Sequence, residues 1–368
     1  MRYALLIVLV AAVVAGCGSQ DASKALDTAC DASGCISLSS FSAGIDSQLN
    51  GKVVGYISLV GALPVIVKYG NARTAADPPS LAMDTDIPSN VASLSKVLTT
   101  VGVLQWLAKH NLTINNTIAP YLPPDWTKGP NVSTITFGEL LTHTAGFRDG
   151  GNGSYAALKQ QIADGVTLAD KLMPSYNNEN FAIFRVLLPF MEGFNDPGEA
   201  QRATATSTFY INYMRANVFT PLGITDADCK PSAGAKPVLY YRPPPVGPTH
   251  GVEAGDWTPY CGGGGWVLTV SDLYKVILDL GGGNILLTDA EKTLMNTNCL
   301  GWDCSVQTQT DWIGKNGILP YANNVGMTCF FGIFKGQVPV VVLVNSNPPA
   351  NITTIVANAF ANATVPHP

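Results

Sequence analysis

The chain is expected to fold as an α+β protein, with an antiparallel sheet formed by both chain ends and a mostly helical lobe inserted between them. Three observations carry this. Strand-like apolar segments lie near the start and near the end of the 368 residues, at 53–69 and 327–345. The long stretch between them is dominated by helical and loop patterns. Apolar residues make up 46% and charged residues only 13%, so the chain can bury a large core. The net charge of −5 and the lack of a Lys/Arg run make nucleic acid an unsuitable partner.

The elements follow in order. Met1, Arg2 and Tyr3 precede the apolar run Ala4 to Ala15. One basic residue, an apolar stretch and then small residues read as a secretory signal over residues 1–16, too short for a membrane span. Val14, Ala15, Gly16 and Cys17 resemble a bacterial lipobox, which implies lipidation of Cys17 and a polar tether over 17–38. The location implied is the cell envelope, with secretion as the alternative. Six Asn-x-Ser/Thr sequons, at Asn111, Asn115, Asn131, Asn152, Asn351 and Asn362, are compatible with a secreted glycoprotein.

The domain is expected over 39–365, its sheet lobe at about 39–80 and 300–365 and its helical lobe at about 81–299. Ser42 to Asn50 reads as a helix ending at Gly51. Val53 to Leu59 and Pro64 to Tyr69 read as strands around a turn at Gly61. Tyr210 to Val218 and Ser271 to Leu280 read as helices, the second with Ser271 as N-cap. The proline-rich run from Tyr241 to Pro248 must be a loop. Thr328 to Lys335 and Val338 to Val344 read as strands, and Ile352 to Ala361 as a closing helix.

Cys30 and Cys35, and Cys299 and Cys304, are close enough in sequence to pair, and Cys229 and Cys261 could close a longer loop. Cys329 is then left as a buried free thiol in an apolar strand. The chain has no Cys-x2-Cys pair and no His-x3–5-His, which argues against zinc, and no cofactor is expected. The glycine run Gly262–Gly265 lacks a phosphate-loop context and reads as a tight loop. Four histidines and no Gly-x-Ser-x-Gly give a Ser-His-Asp triad little support.

The chemistry is concentrated at Ser93 and Lys96, at the head of the apolar helical run Val97 to Ala108. One turn apart, they share a helix face. A serine hydroxyl needs a partner to take its proton, and a desolvated lysine can do so. Helix N-terminal N–H groups favour a developing oxyanion. Alone, the pair also suits an N-cap serine beside a solvated lysine. Tyr176, Asn177 and Asn178 alone suit a polar turn, and Lys315, Asn316 and Gly317 alone suit a hairpin turn.

Together, Ser-x-x-Lys, Tyr-x-Asn and Lys-Asn-Gly resemble the signature of penicillin-recognising serine enzymes. Thr136 to Gly146, Phe219 to Ile224 and Gly262 to Leu273 add similar blocks in the same order. The chain is identified as a member of the serine β-lactamase-like family, in the branch of class C β-lactamases, D,D-peptidases and family VIII esterases. The resemblance implies a β-lactamase/transpeptidase-like fold and an exported serine hydrolase that forms an acyl-enzyme on a small-molecule or peptide substrate. Esters or D-amino-acid peptides are the expected substrates, with β-lactams as the alternative and a non-catalytic binding role as the second.

By motif, Ser93 is the nucleophile and Lys96 holds its hydroxyl. Tyr176 is the implied general base, its pKa lowered by Lys96 and Lys315. Asn178, Lys315, Asn316 and Gly317 bind substrate, with Lys315 as a cationic anchor for a carboxylate. Gly317 lets the strand approach the substrate. The backbone N–H groups of Ser93 and Ile318 form the oxyanion hole. His143 is expected to be structural and away from the chemistry. Asn316 departs from the family's usual threonine, which favours an esterase. A monomer attached to the membrane by its N-terminal lipid is expected.

Overall fold

Val338–Val344 carries no polar side chain, and such a strand needs cover on both faces. The computed structural model places it inside a six-stranded antiparallel sheet. The structure describes residues 27–32, 34–148, 153–171, 173–304 and 311–366. The signal segment, tether residues 17–26 and 33, and Asn152 lie outside the described residues.

The strands are β1 (Thr28–Asp31), β2 (Gly34–Ser37), β3 (Gly55–Val60), β4 (Val65–Arg73), β5 (Leu81–Ala82), β6 (Ser89–Asn90), β7 (Val267–Leu268), β8 (Trp312–Pro320), β9 (Gly326–Phe334), β10 (Val338–Val344) and β11 (Thr364–Val365). The helices are α1 (Leu38–Leu49), α2 (Ser95–Lys109), α3 (Phe137–Leu141), α4 (Tyr155–Asp164), α5 (Leu168–Lys171), α6 (Glu179–Ala182), α7 (Phe184–Met191), α8 (Glu199–Met214), α9 (Val270–Gly282), α10 (Asp289–Thr297) and α11 (Ile352–Ala361). The main sheet runs β5-β4-β3-β10-β9-β8, so strands from both chain ends meet at the β3–β10 pair.

Side-chain alternation explains the two layers. Val338, Val340, Val342 and Val344 face a core with Phe41, Ile45 and Leu49 of α1 and Ile355, Val356 and Phe360 of α11. Val341 and Leu343 face the larger core shared with α9 and the helical region. Burying each such aliphatic or aromatic side chain contributes about 1.5–3 kcal/mol.

Five expectations are corrected. The tether gives way to structure before residue 39. Thr28–Asp31 and Gly34–Ser37 form a hairpin bridged by Cys30–Cys35, and β11 pairs with its second strand. Helix α1 begins at Leu38 because the Ser37 side chain accepts from the Ser40 N–H. Helix α8 begins at Glu199, well before Tyr210. Its first turns hold a near-buried Arg202 paired with Asp125, Asp196 and Glu199, so ion pairs replace the apolar stripe that pattern reading needs. The cap of α9 is Thr269, which forms a capping box with Asp272, and Ser271 instead donates to Asp86. This helix packs on β10, so the chain returns to the sheet before residue 299.

Candidate active site

The segment that presents Ser93 is tightly held. Asn90 Oδ1 accepts from the Ala92 N–H at 2.8 Å. Ala92 sits at φ 44°, a left-handed conformation uncommon outside glycine. Ala92–Leu94 makes a single 3-10 turn before α2, so Ser93 stands just ahead of the helix proper.

Lys96, in the first turn of α2, is fully buried. Its Nζ lies 3.1 Å from Ser93 Oγ, 2.7 Å from Asn178 Oδ1 and within hydrogen-bond reach of the Gly263 carbonyl. Burial holds its pKa well below the ordinary lysine value; the Lys315 charge pushes the same way and Asp303 opposes it. A neutral amine has two N–H bonds and one lone pair. In the neutral form, Asn178 and Gly263 can take the two N–H bonds and leave the lone pair for the Ser93 hydroxyl.

Gly263 is the fourth contributor, and sequence reading missed it. The loop is tight, as expected. A Cβ at Gly263 would lie 2.6 Å from the Asn178 carbonyl oxygen, so glycine lets the loop reach Lys96. Four glycines beside a tryptophan were the available signal.

Tyr176 Oη lies 2.6 Å from Ser93 Oγ. Its ring is within 4.7 Å of Lys96 Nζ and 5.0 Å of Lys315 Nζ, measured to the ring centroid. The residue is 56% exposed, yet its hydroxyl points inward. The expectation of a lowered pKa is not met. Burial of the hydroxyl pushes it up to about 12, the Ser93 hydrogen bond opposes this, and the Asp303 charge raises it further. The proton-poor member of this pair is therefore Lys96.

His143 is nearer the chemistry than expected. Its ring packs on Tyr176 at 4.5 Å between centroids. Its Nδ1 accepts from the Asn177 backbone N–H at 3.2 Å and faces Asn180 Nδ2 at 3.3 Å, which assigns the proton to Nε2. Burial, with the Lys315 charge acting the same way, pulls its pKa down to about 3, so it is a neutral prop under Tyr176.

Lys315, Asn316 and Gly317 lie within β8, a sheet edge strand and not a hairpin turn. The Asn316 N–H reaches Asp303 Oδ2 at 2.9 Å, and the Gly314 carbonyl accepts from the Asp303 N–H at 2.9 Å. Both point away from β9. By ladder alternation the Ile318 N–H shares that side and faces the cleft toward Ser93. Gly317 lies against the nucleophile turn: a Cβ there would lie 2.9 Å from the Val91 carbonyl oxygen and 3.0 Å from Ala92 Cβ.

Lys315 is not a free cationic anchor. Asp303, in the loop closed by the Cys299–Cys304 disulfide, forms an ion pair with its Nζ. Asp303 is the second residue that sequence reading missed, and no motif marks it. The Asn316 side chain is turned to Thr353 Oγ1 at 3.2 Å.

Ser93 opens onto two cavities. One of about 710 Å³ extends past Asp303, Trp312 and Asn316 to the start of α11. The other, about 70 Å³, lies among Ala182, Trp257, Tyr260 and Leu319. Cys229–Cys261 is also bridged, and Cys329 is a buried free thiol.

The fold is that of the β-lactamase-like serine hydrolases, and Ser93, Lys96, Tyr176 and Asn178 lie together in it. The Beta-lactamase family profile matches residues 50–361, and the chain belongs to that family. The PbpX protein of Bacillus subtilis (strain 168), named for penicillin binding, is 26% identical over 190 residues, 48% of this chain and 44% of that protein. The match thus spans less than half of that relative. Among solved structures, the β-lactamase/D-alanine carboxypeptidase of Pseudomonas syringae is similar, with TM-score 0.66, 15% identity and coverage of 89% of this chain and 98% of that one. The D-stereospecific amidohydrolase of a Streptomyces species gives TM-score 0.62, 15% identity and coverage of 88% and 98%. These likenesses establish the β-lactamase/transpeptidase fold. Among the described residues, no helix is long and apolar enough to cross a membrane.

Proposed function

We propose that the protein is an exported hydrolase that transfers a short acyl group from an ester or a D-amino-acid peptide to Ser93 and then to water. The observation that carries this reading is the network joining Ser93, Lys96, Tyr176, Asn178 and Gly263. Ser93 Oγ attacks the carbonyl, and its proton passes to neutral Lys96, directly or through the Tyr176 hydroxyl. The Ser93 and Ile318 N–H groups stabilise the oxyanion. Collapse breaks the bond to the leaving group, which takes the proton back. Water then attacks the acyl-enzyme and the same groups return the proton to Ser93.

The small cavity suits a short acyl group, and the larger one suits the leaving group. Three disulfides support an oxidising compartment, and lipidation at Cys17 remains the proposed anchor of a monomer. The Asp303–Lys315 pair weighs against a β-lactamase, whose substrates carry a carboxylate.

The test is turnover of a short p-nitrophenyl ester, a D-Ala-D-Ala peptide and a nitrocefin-type lactam by wild type and Ser93→Ala. We expect the ester to lead over the D-Ala-D-Ala peptide and the lactam, both of which carry a carboxylate on the leaving side, and Ser93→Ala to lose turnover and fluorophosphonate labelling. Labelling at another serine with activity within a few-fold of wild type would overturn the assignment.

A further inference from the structure

Asp303 has a geometry of its own. One carboxylate oxygen pairs with Lys315 Nζ, and the other accepts from the Asn316 N–H at 2.9 Å. The side chain keeps 21% of its surface exposed and lines the larger cavity, whereas Lys315 is 2% exposed. Of the paired charges in that cavity, the carboxylate is therefore the more exposed to whatever enters. Among the described residues lining that cavity, Asp303 and Lys315 are the charged ones; the rest of the wall is amide, hydroxyl and apolar. The Gly314 carbonyl and the Cys299–Cys304 bridge brace the loop on both sides.

We propose that Asp303 is a specificity-determining residue that makes this enzyme select leaving groups that are cationic or neutral and reject those bearing a carboxylate. This rests on the acyl-transfer reading above. The physical ground is simple. An incoming carboxylate meets a carboxylate and must displace an intact ion pair, and like charges repel in a partly desolvated cleft. An incoming ammonium gains the lone pairs that Lys315 and Asn316 leave on Asp303.

The experiment compares three acetate esters with matched phenolic leaving groups: 4-carbamoylphenyl, 4-carboxyphenyl and 4-(trimethylammonio)phenyl acetate. Each kcat/KM is normalised to the ester's own hydroxide hydrolysis. In wild type the carboxylate ester should be at least ~10-fold worse than the other two. Asp303→Asn should improve the carboxylate ester and weaken the cationic one, so that the ranking reverses. A wild type that prefers the carboxylate ester overturns the proposal without any variant. So does a folded Asp303→Asn, checked by thermal unfolding, with an unchanged ranking. Failure of wild type on all three esters would instead count against acyl transfer from esters, which separates the two failures.

Discussion

At the scale of single residues, the proposed reaction depends on a neutral Lys96, and burial favours that form. Lys96 acts as a base only when deprotonated, so kcat/KM should rise with pH through its lowered pKa. The Lys315 charge lowers that pKa and the Asp303 charge raises it. Lys315→Met should therefore move the acid limb of the pH–rate profile to higher pH, and Asp303→Asn should move it to lower pH. Limbs that move together in the two variants would count against Lys96 as the titrating group. Tyr176→Phe should fold normally and lose on the order of 10²–10⁴ in rate, the range for a group that moves a proton. His143 gives a stability prediction. Its folded pKa lies near 3 against 6.5, so below about pH 6.5 the unfolded chain binds a proton that the folded ring refuses. Stability should fall by about 1.4 kcal/mol per pH unit from this group as pH drops through that window. His143→Asn keeps an acceptor and tolerates the φ of 60°, so urea unfolding at pH 6.5 and 4.5 should differ less in the variant. Ser93, Lys96, Tyr176 and Asn178 were legible because each lies in a short local motif. Asp303 and the Gly263 carbonyl were not. They reach Lys315 and Lys96 only through tertiary folding, and a backbone carbonyl has no residue type to recognise.

At the scale of elements, glycine decides how near β8 comes to the nucleophile. Gly317→Ala brings a methyl against the Val91 carbonyl and Ala92. The strand must move outward, taking the Ile318 N–H with it. We expect a loss of about 1–3 kcal/mol in stability, typical of overpacking, and a loss of ~100-fold in kcat on a neutral ester, as for an oxyanion donor. A rate near wild type in a destabilised protein would show that β8 need not approach so closely. Strands β3, β4, β9 and β10 and helix α11 were readable because apolar runs and turn glycines bound them. The first half of α8 was not, since its inward face is built on Arg202. The hairpin β1–β2 was hidden among polar residues, where only two cysteines hinted at order.

At the scale of the whole molecule, the sheet carries two cores, and the Cys229–Cys261 and Cys299–Cys304 disulfides tie down the loops that reach Lys96 and Lys315. Cys229–Cys261 closes a span of 32 residues and ends beside Gly262 and Gly263. Replacing both cysteines with serine should cost up to about 3–4 kcal/mol by loop-closure entropy. Activity should fall as well, because the glycine loop that meets Lys96 is anchored there. Thermal unfolding and ester turnover of the double variant check both. An α+β architecture with a sheet drawn from both chain ends was readable from the order of patterns. The return of α9 to the sheet was not, because an amphipathic helix does not reveal which surface it covers.

The meeting of β3 with β10 has a consequence for how the protein is made. Ser93 and Lys96 emerge early from the ribosome, while Lys315, Gly317 and Ile318 belong to strands synthesised last. Until β8 and β9 exist, the nucleophile turn lacks the wall that Gly317 lays against it and the second N–H for an oxyanion. A nascent or truncated chain thus carries its reactive serine without the means to use it. On the proposed acyl-transfer reading, hydrolysis would begin only when nearly the whole polypeptide has been made and folded.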